Sequence, residues 1–154
     1  MLRAIKIRLY PNKEQELKLN KVLGCYRFVY NQMLALKQQE YNENKKSLGL
    51  TDLSKYFHGT LLKDEQYEWL KEQNTNGFPK FKTKKGKQSA LFPLEAISKG
   101  NKFNERKITL TQPLKDIRFR CSDLYFKRLQ TYKEGIRSAT LSKTKSGNYF
   151  LSIL

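Results

Sequence analysis

The densest chemistry in the chain is a run of cations interleaved with rings. Phe78, Lys80, Phe81, Lys82, Lys84, Lys85 and Lys87 fall within residues 78–87, which hold five lysines, two aromatics and no acid. Ammonium groups neutralise phosphates, and aromatic rings offer faces on which bases stack. That pairing of residue types points to a polynucleotide. A solvated basic loop pinned to the core by its two Phe rings is the competing reading; the basic character of the sequence around it favours binding. Further on, Lys107, Arg118, Arg120, Arg137, Lys143 and Lys145 are spaced to leave one face of a sheet. Alternation places Ile108, Leu110, Ile117, Phe119, Ala139 and Leu141 on the other. Arg27 and Asn31, four residues apart, share a helix face. For those two, a binding role and an ordinary surface role with a local hydrogen bond are evenly matched.

Catalysis finds little support. The chain contains no GxSxG, HExxH or Walker loop. Asp64, Glu65 and Glu68 share a helix face, but a solvated first turn stabilised by the helix dipole explains them more simply. His58 lies beside Phe57 with no Cys or Asp partner nearby in sequence. Metal-dependent nucleases need several carboxylates converging on metal ions, and no convincing set is present. Two cysteines, Cys25 and Cys121, and a single histidine cannot supply a four-ligand zinc site; each cysteine reads as a small buried apolar residue. The expectation is a binding protein that is not itself an enzyme, with no metal and no cofactor.

The charge balance supports that expectation. The formal net charge is +17, and self-repulsion on that scale favours a polyanionic partner. Residues 1–77 carry 13 basic and 9 acidic side chains, whereas residues 78–154 carry 18 and 5. The second half is therefore the expected polyanion surface. No apolar run approaches membrane-spanning length and no signal-peptide core follows Met1, so no membrane partner is expected and a reducing cytoplasm is the default location.

These residues need elements to position them. Ile5, Ile7 and Leu9 alternate with Lys6, Arg8 and Tyr10, the period of a strand with one buried face. Pro11 ends it, and Asn12 with Gln15 three residues on forms a capping box. A helical region spans 12–46, with Leu19, Leu23, Tyr26, Tyr30, Met33 and Leu34 as its apolar stripe and Gly24 as a break or a close helix contact. Thr51 and Asp52 cap a second helical segment running through Tyr56 and Leu61. A third covers Asp64 to Glu72, anchored by Trp69 and Leu70. After a turn-rich break at 74–77 the pattern becomes strand-like: Lys107 to Thr111, Ile117 to Arg120, Arg137 to Lys143 and Tyr149 to Leu154. Leu124 to Tyr132 reads as a short helix capped by Ser122 or Asp123, and Lys145-Ser146-Gly147-Asn148 as a hairpin turn. The first strand has no local partner, so it must pair with the late ones. The expected fold is α+β: a small split β-barrel with an inserted helical lobe. Residues 1–11 give its first strand, 12–76 the lobe and 77–154 the rest of the barrel.

Ile5-Lys6-Ile7-Arg8-Leu9-Tyr10-Pro11-Asn12-Lys13-Glu14-Gln15 resembles the opening of the TnpB (OrfB) proteins of insertion sequences. Gly24-Cys25-Tyr26-Arg27-Phe28-Val29-Tyr30-Asn31 resembles that family's first helix motif. Trp69-Leu70-Lys71-Glu72, Gly77-Phe78-Pro79-Lys80-Phe81-Lys82 and Ser146-Gly147-Asn148-Tyr149 follow in the family's order. The resemblance implies an RNA-guided DNA endonuclease whose wedge-like β-barrel is interrupted by a helical recognition domain. Its partners would be guide RNA and target DNA, and the older label for the region is a transposase-associated helix-turn-helix. It also implies that the nuclease domain and a four-cysteine zinc module follow the last strand, so this chain is expected to be truncated before them and not to cut. The space between Glu72 and Gly77 is shorter than in the family, which implies a reduced recognition lobe. Three readings stay open. One is a non-catalytic binder: a remnant, a repurposed protein or one part of a split protein with a separate nuclease-domain chain. The others are a piece of an intact enzyme and a helix-turn-helix protein that reads duplex DNA directly.

Replacing Lys80, Lys82 and Lys84 with Ala should flatten the log–log salt dependence of nucleic-acid binding by roughly two to three units if each touches one phosphate. It should weaken all sequences about equally, because phosphate contacts carry no base information. Titrations at several salt concentrations, scored against the parent, check both outcomes.

Overall fold

Residue alternation at 5–10 builds the first strand. The structure, a computed structural model, describes residues 4–67, 88–93, 103–110, 114–131 and 135–154. β1 (Ile5–Tyr10) buries Ile5, Ile7 and Leu9 and exposes Lys6, Arg8 and Tyr10. The expected late partners are found: β1 pairs antiparallel with β4 (Ile117–Arg120) on one side and β6 (Tyr149–Ile153) on the other. β5 (Ser138–Lys143) joins β6, β2 (Gln88–Pro93) joins β5, and β3 (Lys107–Ile108) joins β4. Among the described residues this makes one six-stranded antiparallel sheet in the order β2-β5-β6-β1-β4-β3.

Among the described residues the sheet is open: the expected α+β class is found, and the split-barrel form of it is not seen. β2 and β3 are its edges and do not pair with each other. β3 is only two residues long, because the chain turns at once: Leu110 N–H donates to the Leu114 carbonyl at 3.1 Å. So short an edge offers almost no ladder for closure. The strand expected over Lys107 to Thr111 is correspondingly shorter, with Thr111 outside the described residues. β2 was not anticipated at all, since Gln88-Ser89-Ala90-Leu91-Phe92-Pro93 holds too few β-branched residues to stand out.

By contact density the chain divides into two units, one of residues Met1–Leu23 and Lys84–Leu154, the other of Gly24–Thr83. In the first unit the inner side of the sheet is apolar. Ile7, Ile108, Ile117, Leu141 and Leu151 are fully buried, as are Leu19 of α1 and Leu114. Each such side chain contributes roughly 1.5–3 kcal/mol by leaving water. α3 (Asp123–Thr131) is capped by Ser122, whose Oγ accepts from Tyr125 N–H at 3.3 Å, and it buries Leu129. The β5–β6 hairpin closes as expected, with Gly147 N–H donating to the Thr144 carbonyl at 3.0 Å. Gly147 has φ +82°, a left-handed conformation that costs glycine nothing.

α1 (Lys13–Asn44) starts on the capping box read from the sequence. Asn12 Oδ1 accepts from Gln15 N–H at 2.8 Å, and Gln15 Oε1 accepts from Asn12 N–H at 3.0 Å. Within the second unit α1 presents Cys25, Val29 and Met33, four residues apart each time. They form a core with Leu48, Leu53 of α2 (Leu50–Gly59) and Leu61. The N-cap of α2 is Gly49, two residues before the expected Thr51, and Asp52 serves the cap from the third helical position, its Oδ2 accepting from Gly49 N–H at 3.1 Å. Cys25 is buried, as anticipated; Cys121 is half-buried, and burial pushes its thiol pKa up. The third helical segment is described only to Tyr67, and Trp69 and Leu70 lie outside the described residues.

Gly24 is neither a break nor a close contact. α1 is continuous through it, and a Cβ built there meets nothing within 4 Å. Gly24→Ala should therefore stabilise the protein by about 0.5–1 kcal/mol, the helix-propensity difference. A midpoint shift in urea unfolding, at unchanged slope, would show it; destabilisation would mean that the backbone there needs glycine.

Candidate nucleic-acid interface

The outward side of the sheet is set by the strand registers. Arg8 stands opposite Arg120, and Tyr10 opposite Arg118. Lys107 stands opposite Arg118. On the other flank of β1, Arg8 faces Phe150 and Lys6 faces Ser152. Five cations thus gather on three adjacent strands around two rings. None of the six strands contains an Asp or Glu. Among the described residues Glu14 pairs with Lys18 and Asp123 with Arg106 at 3.1 Å, while Glu105 reaches Lys107 on this face at 2.7 Å.

The rings hold the cations in place. Lys6 Nζ lies 4.7 Å from the centroid of Phe150. The guanidinium carbons of Arg8 and Arg120 lie 5.0 Å and 5.2 Å from the centroid of Tyr10. Arg8 Nη2 also donates to Asn148 Oδ1 at 2.7 Å, which ties it to the hairpin turn. Each cation–π contact at an exposed site is worth about 0.5–1 kcal/mol. Against that, like charges directly opposite on neighbouring strands destabilise a sheet. A seam with Arg8 facing Arg120, and no acid in either strand, is electrostatically incomplete by itself.

Arg118 and Arg120 are exposed on this face, where alternation put them. Lys107 shares it but is half-buried and held by Glu105. Lys143 does not share it. It is in phase with Ala139 and Leu141, pairs with the buried Tyr149, and donates to Asn20 Oδ1 of α1 at 2.7 Å. Tyr149 Oη donates to the same Asn20 oxygen at 2.8 Å and approaches Glu16 at 3.3 Å. Burial pushes the Tyr149 pKa up, which keeps the hydroxyl a donor. Lys143 therefore belongs to the joint between α1 and the β5–β6 hairpin. Arg137 precedes β5, its side chain exposed and its N–H bound to the Leu154 carbonyl at 2.6 Å. Lys145 is exposed in the hairpin turn, and Arg27 and Asn31 are half-buried on α1 in the second unit. Phe78, Lys80, Phe81, Lys82, Lys84, Lys85 and Lys87 lie outside the described residues. Sequence reasoning passed over Lys6, Arg8, Tyr10 and Phe150. The period of β1 had already set its three apart from the core, but the charge count by halves drew attention elsewhere.

Among the described residues no three His, Cys, Asp or Glu side chains are grouped to hold a metal ion, and no helix is long and apolar enough to cross a membrane. The comparisons define the class, a DNA-binding protein of a mobile-element type. Residues 1–46 match the helix-turn-helix domain of OrfB from IS605-type elements. The chain is also 37% identical, over 82 residues, to the virulence protein VsdF of Salmonella dublin, an overlap covering 49% of this chain and 68% of that one. It belongs to the IS605 OrfB/TnpB-type transposase family. The matched residues fold as β1 and the whole of α1, with no second helix among them; α2 follows after residues 45–49.

Arg120→Gln should lower nucleic-acid affinity, with the salt slope smaller by about 0.7 on single strands or 0.9 on duplex. The melting temperature at low salt should hold or rise, because a like-charged pair is relieved. Loss of both affinity and stability would assign Arg120 to the fold instead.

Proposed function

We propose that this chain is a nucleic-acid-gripping part of a TnpB-like RNA-guided system, contacting guide RNA and target DNA and leaving the cutting to groups outside these residues. One observation carries the reading: the outer face of the sheet, where Lys6, Arg8, Arg118 and Arg120 surround Tyr10 and Phe150 on strands free of carboxylates. Such a face offers phosphates several cations and offers bases two rings. Affinity from these contacts is electrostatic and falls steeply with salt.

Direct reading of duplex DNA by a helix is the second proposal. A recognition helix presents Arg, Lys, Asn or Gln side chains to base edges in the major groove. α2, the helix after the turn, carries only Lys55 of these, beside Thr51, Ser54 and His58. The sheet face is better equipped.

Purifying the chain from its host and sequencing what co-purifies separates the two. A discrete RNA supports the guided system; a defined duplex bound without RNA supports direct readout. Incubation with labelled DNA and Mg²⁺ or Mn²⁺ should leave the DNA intact. Metal-dependent cleavage that persists through stringent purification would overturn the non-cutting role.

A further inference from the structure

Along β1 the outward residues Lys6, Arg8 and Tyr10 recur at every second position. At about 3.4 Å per residue they are roughly 7 Å apart. Phe150, opposite Arg8, and Tyr10, the next outward residue, are therefore diagonal neighbours, one strand across and two residues along. A strand within a duplex advances only about 3.4 Å per nucleotide. Rings at about twice that advance match bases drawn out of their stack, while cations about 7 Å apart suit successive phosphates of either form.

We infer that this face takes single-stranded RNA in an extended form, running along β1 at about one nucleotide for every second residue. Lys6, Arg8 and Arg120 meet the phosphates, and Tyr10 and Phe150 meet the bases. The inference rests on the reading that the face binds nucleic acid; it adds the form of the polymer. Tyr10 is 40% exposed, so a base can reach it. The cations now resting on the rings serve in either of two ways. A guanidinium plane stacks a base as an aromatic ring does. Alternatively the base takes the ring and the long side chain swings to the phosphate.

The ribose is favoured by hydroxyls on the rest of the face, where the exposed Leu91 stands among them opposite Thr140. Ser89 stands opposite Ser142, and Thr140 opposite Ser152, all on the outward register. Ser152 in turn stands opposite Lys6. These hydroxyls form a field beside the cationic half. Each hydroxyl both donates and accepts, which suits the 2′-hydroxyl, the group that distinguishes RNA from DNA. A duplex makes poor use of the site. Its bases are stacked inside, and the deep, narrow major groove of A-form RNA keeps side chains from them.

The test uses the full chain with a short labelled oligouridine, the oligothymidine of equal length, and an RNA duplex, titrated at matched salt. Oligouridine should bind tightest, oligothymidine less tightly and duplex least. Tyr10→Leu should weaken oligouridine roughly five- to a hundredfold, the range that stacking of one base spans, with the salt slope unchanged, when titrated at a temperature where the variant, which loses two cation–π contacts, is still fully folded. Phe150→Leu, checked for folding because Phe150 is half-buried, should do the same. Duplex binding as tight as single strands, or a Tyr10→Leu protein that binds oligouridine like the parent, overturns the inference while leaving nucleic-acid binding intact. Equal affinity for the two oligomers overturns the assignment to RNA. Absence of salt-dependent binding to any of the three overturns the underlying reading as well.

Discussion

A strand with one apolar side cannot exist alone in water, and in this protein that constraint falls on β1. Its Ile5, Ile7 and Leu9 leave solvent only because β6 and β4 flank it, and both come from the far end of the sequence. Everything else in the first unit is arranged about that pairing. β5 and β2 extend the sheet on one side and β3 on the other. The first turns of α1, capped by Asn12 immediately after the strand, are joined to the β5–β6 hairpin through Asn20, Tyr149 and Lys143. Burying one side of β1 also fixes the other. Once the isoleucines point inward, Lys6, Arg8 and Tyr10 must point out, and the register then sets Arg8 against Arg120.

That last pairing shows the difference between residues that hold a fold and residues that a fold holds. Arg8 facing Arg120 contributes repulsion to the sheet, partly offset by the Tyr10 ring between them. Lys143, by contrast, lies on the core side of the same sheet and is satisfied by Asn20 and Tyr149. Two cations from one composition thus have opposite roles, and only the register separates them. Membership of the OrfB/TnpB-type family agrees with a nucleic-acid role for the outward set.

Much of this was legible in the sequence because it rests on local periodicity. The alternation of β1, the Asn12–Gln15 box, the Gly147 turn and the Ser122 cap are all properties of a few adjacent residues. The antiparallel partners of β1 followed from elimination, since Pro11 and a long helix leave it none nearby. What escaped depended on distant pairing. β2 is a strand because β5 accepts it, not because Gln88-Ser89-Ala90 favours one. The open edge depends on β3 stopping after two residues. Lys143 was counted with the binding cations although its phase with Leu141 already placed it inward. The Arg8–Tyr10–Arg120 seam joins residues more than a hundred positions apart and has no local signature.

The placement of β1 also dictates when the protein can become itself. Its partners at 117–120 and 149–153 are synthesised long after residues 5–10 have left the ribosome. Until then a short apolar-faced strand waits with its ladder unpaired, the kind of edge that seeks any other strand in reach. Contacts of such sequence separation make folding slow. The alternating lysine and arginine of β1 then serve a second purpose: charge along an unpaired edge discourages premature association. The outward cations of β1 would thus first act as guardians of the nascent chain.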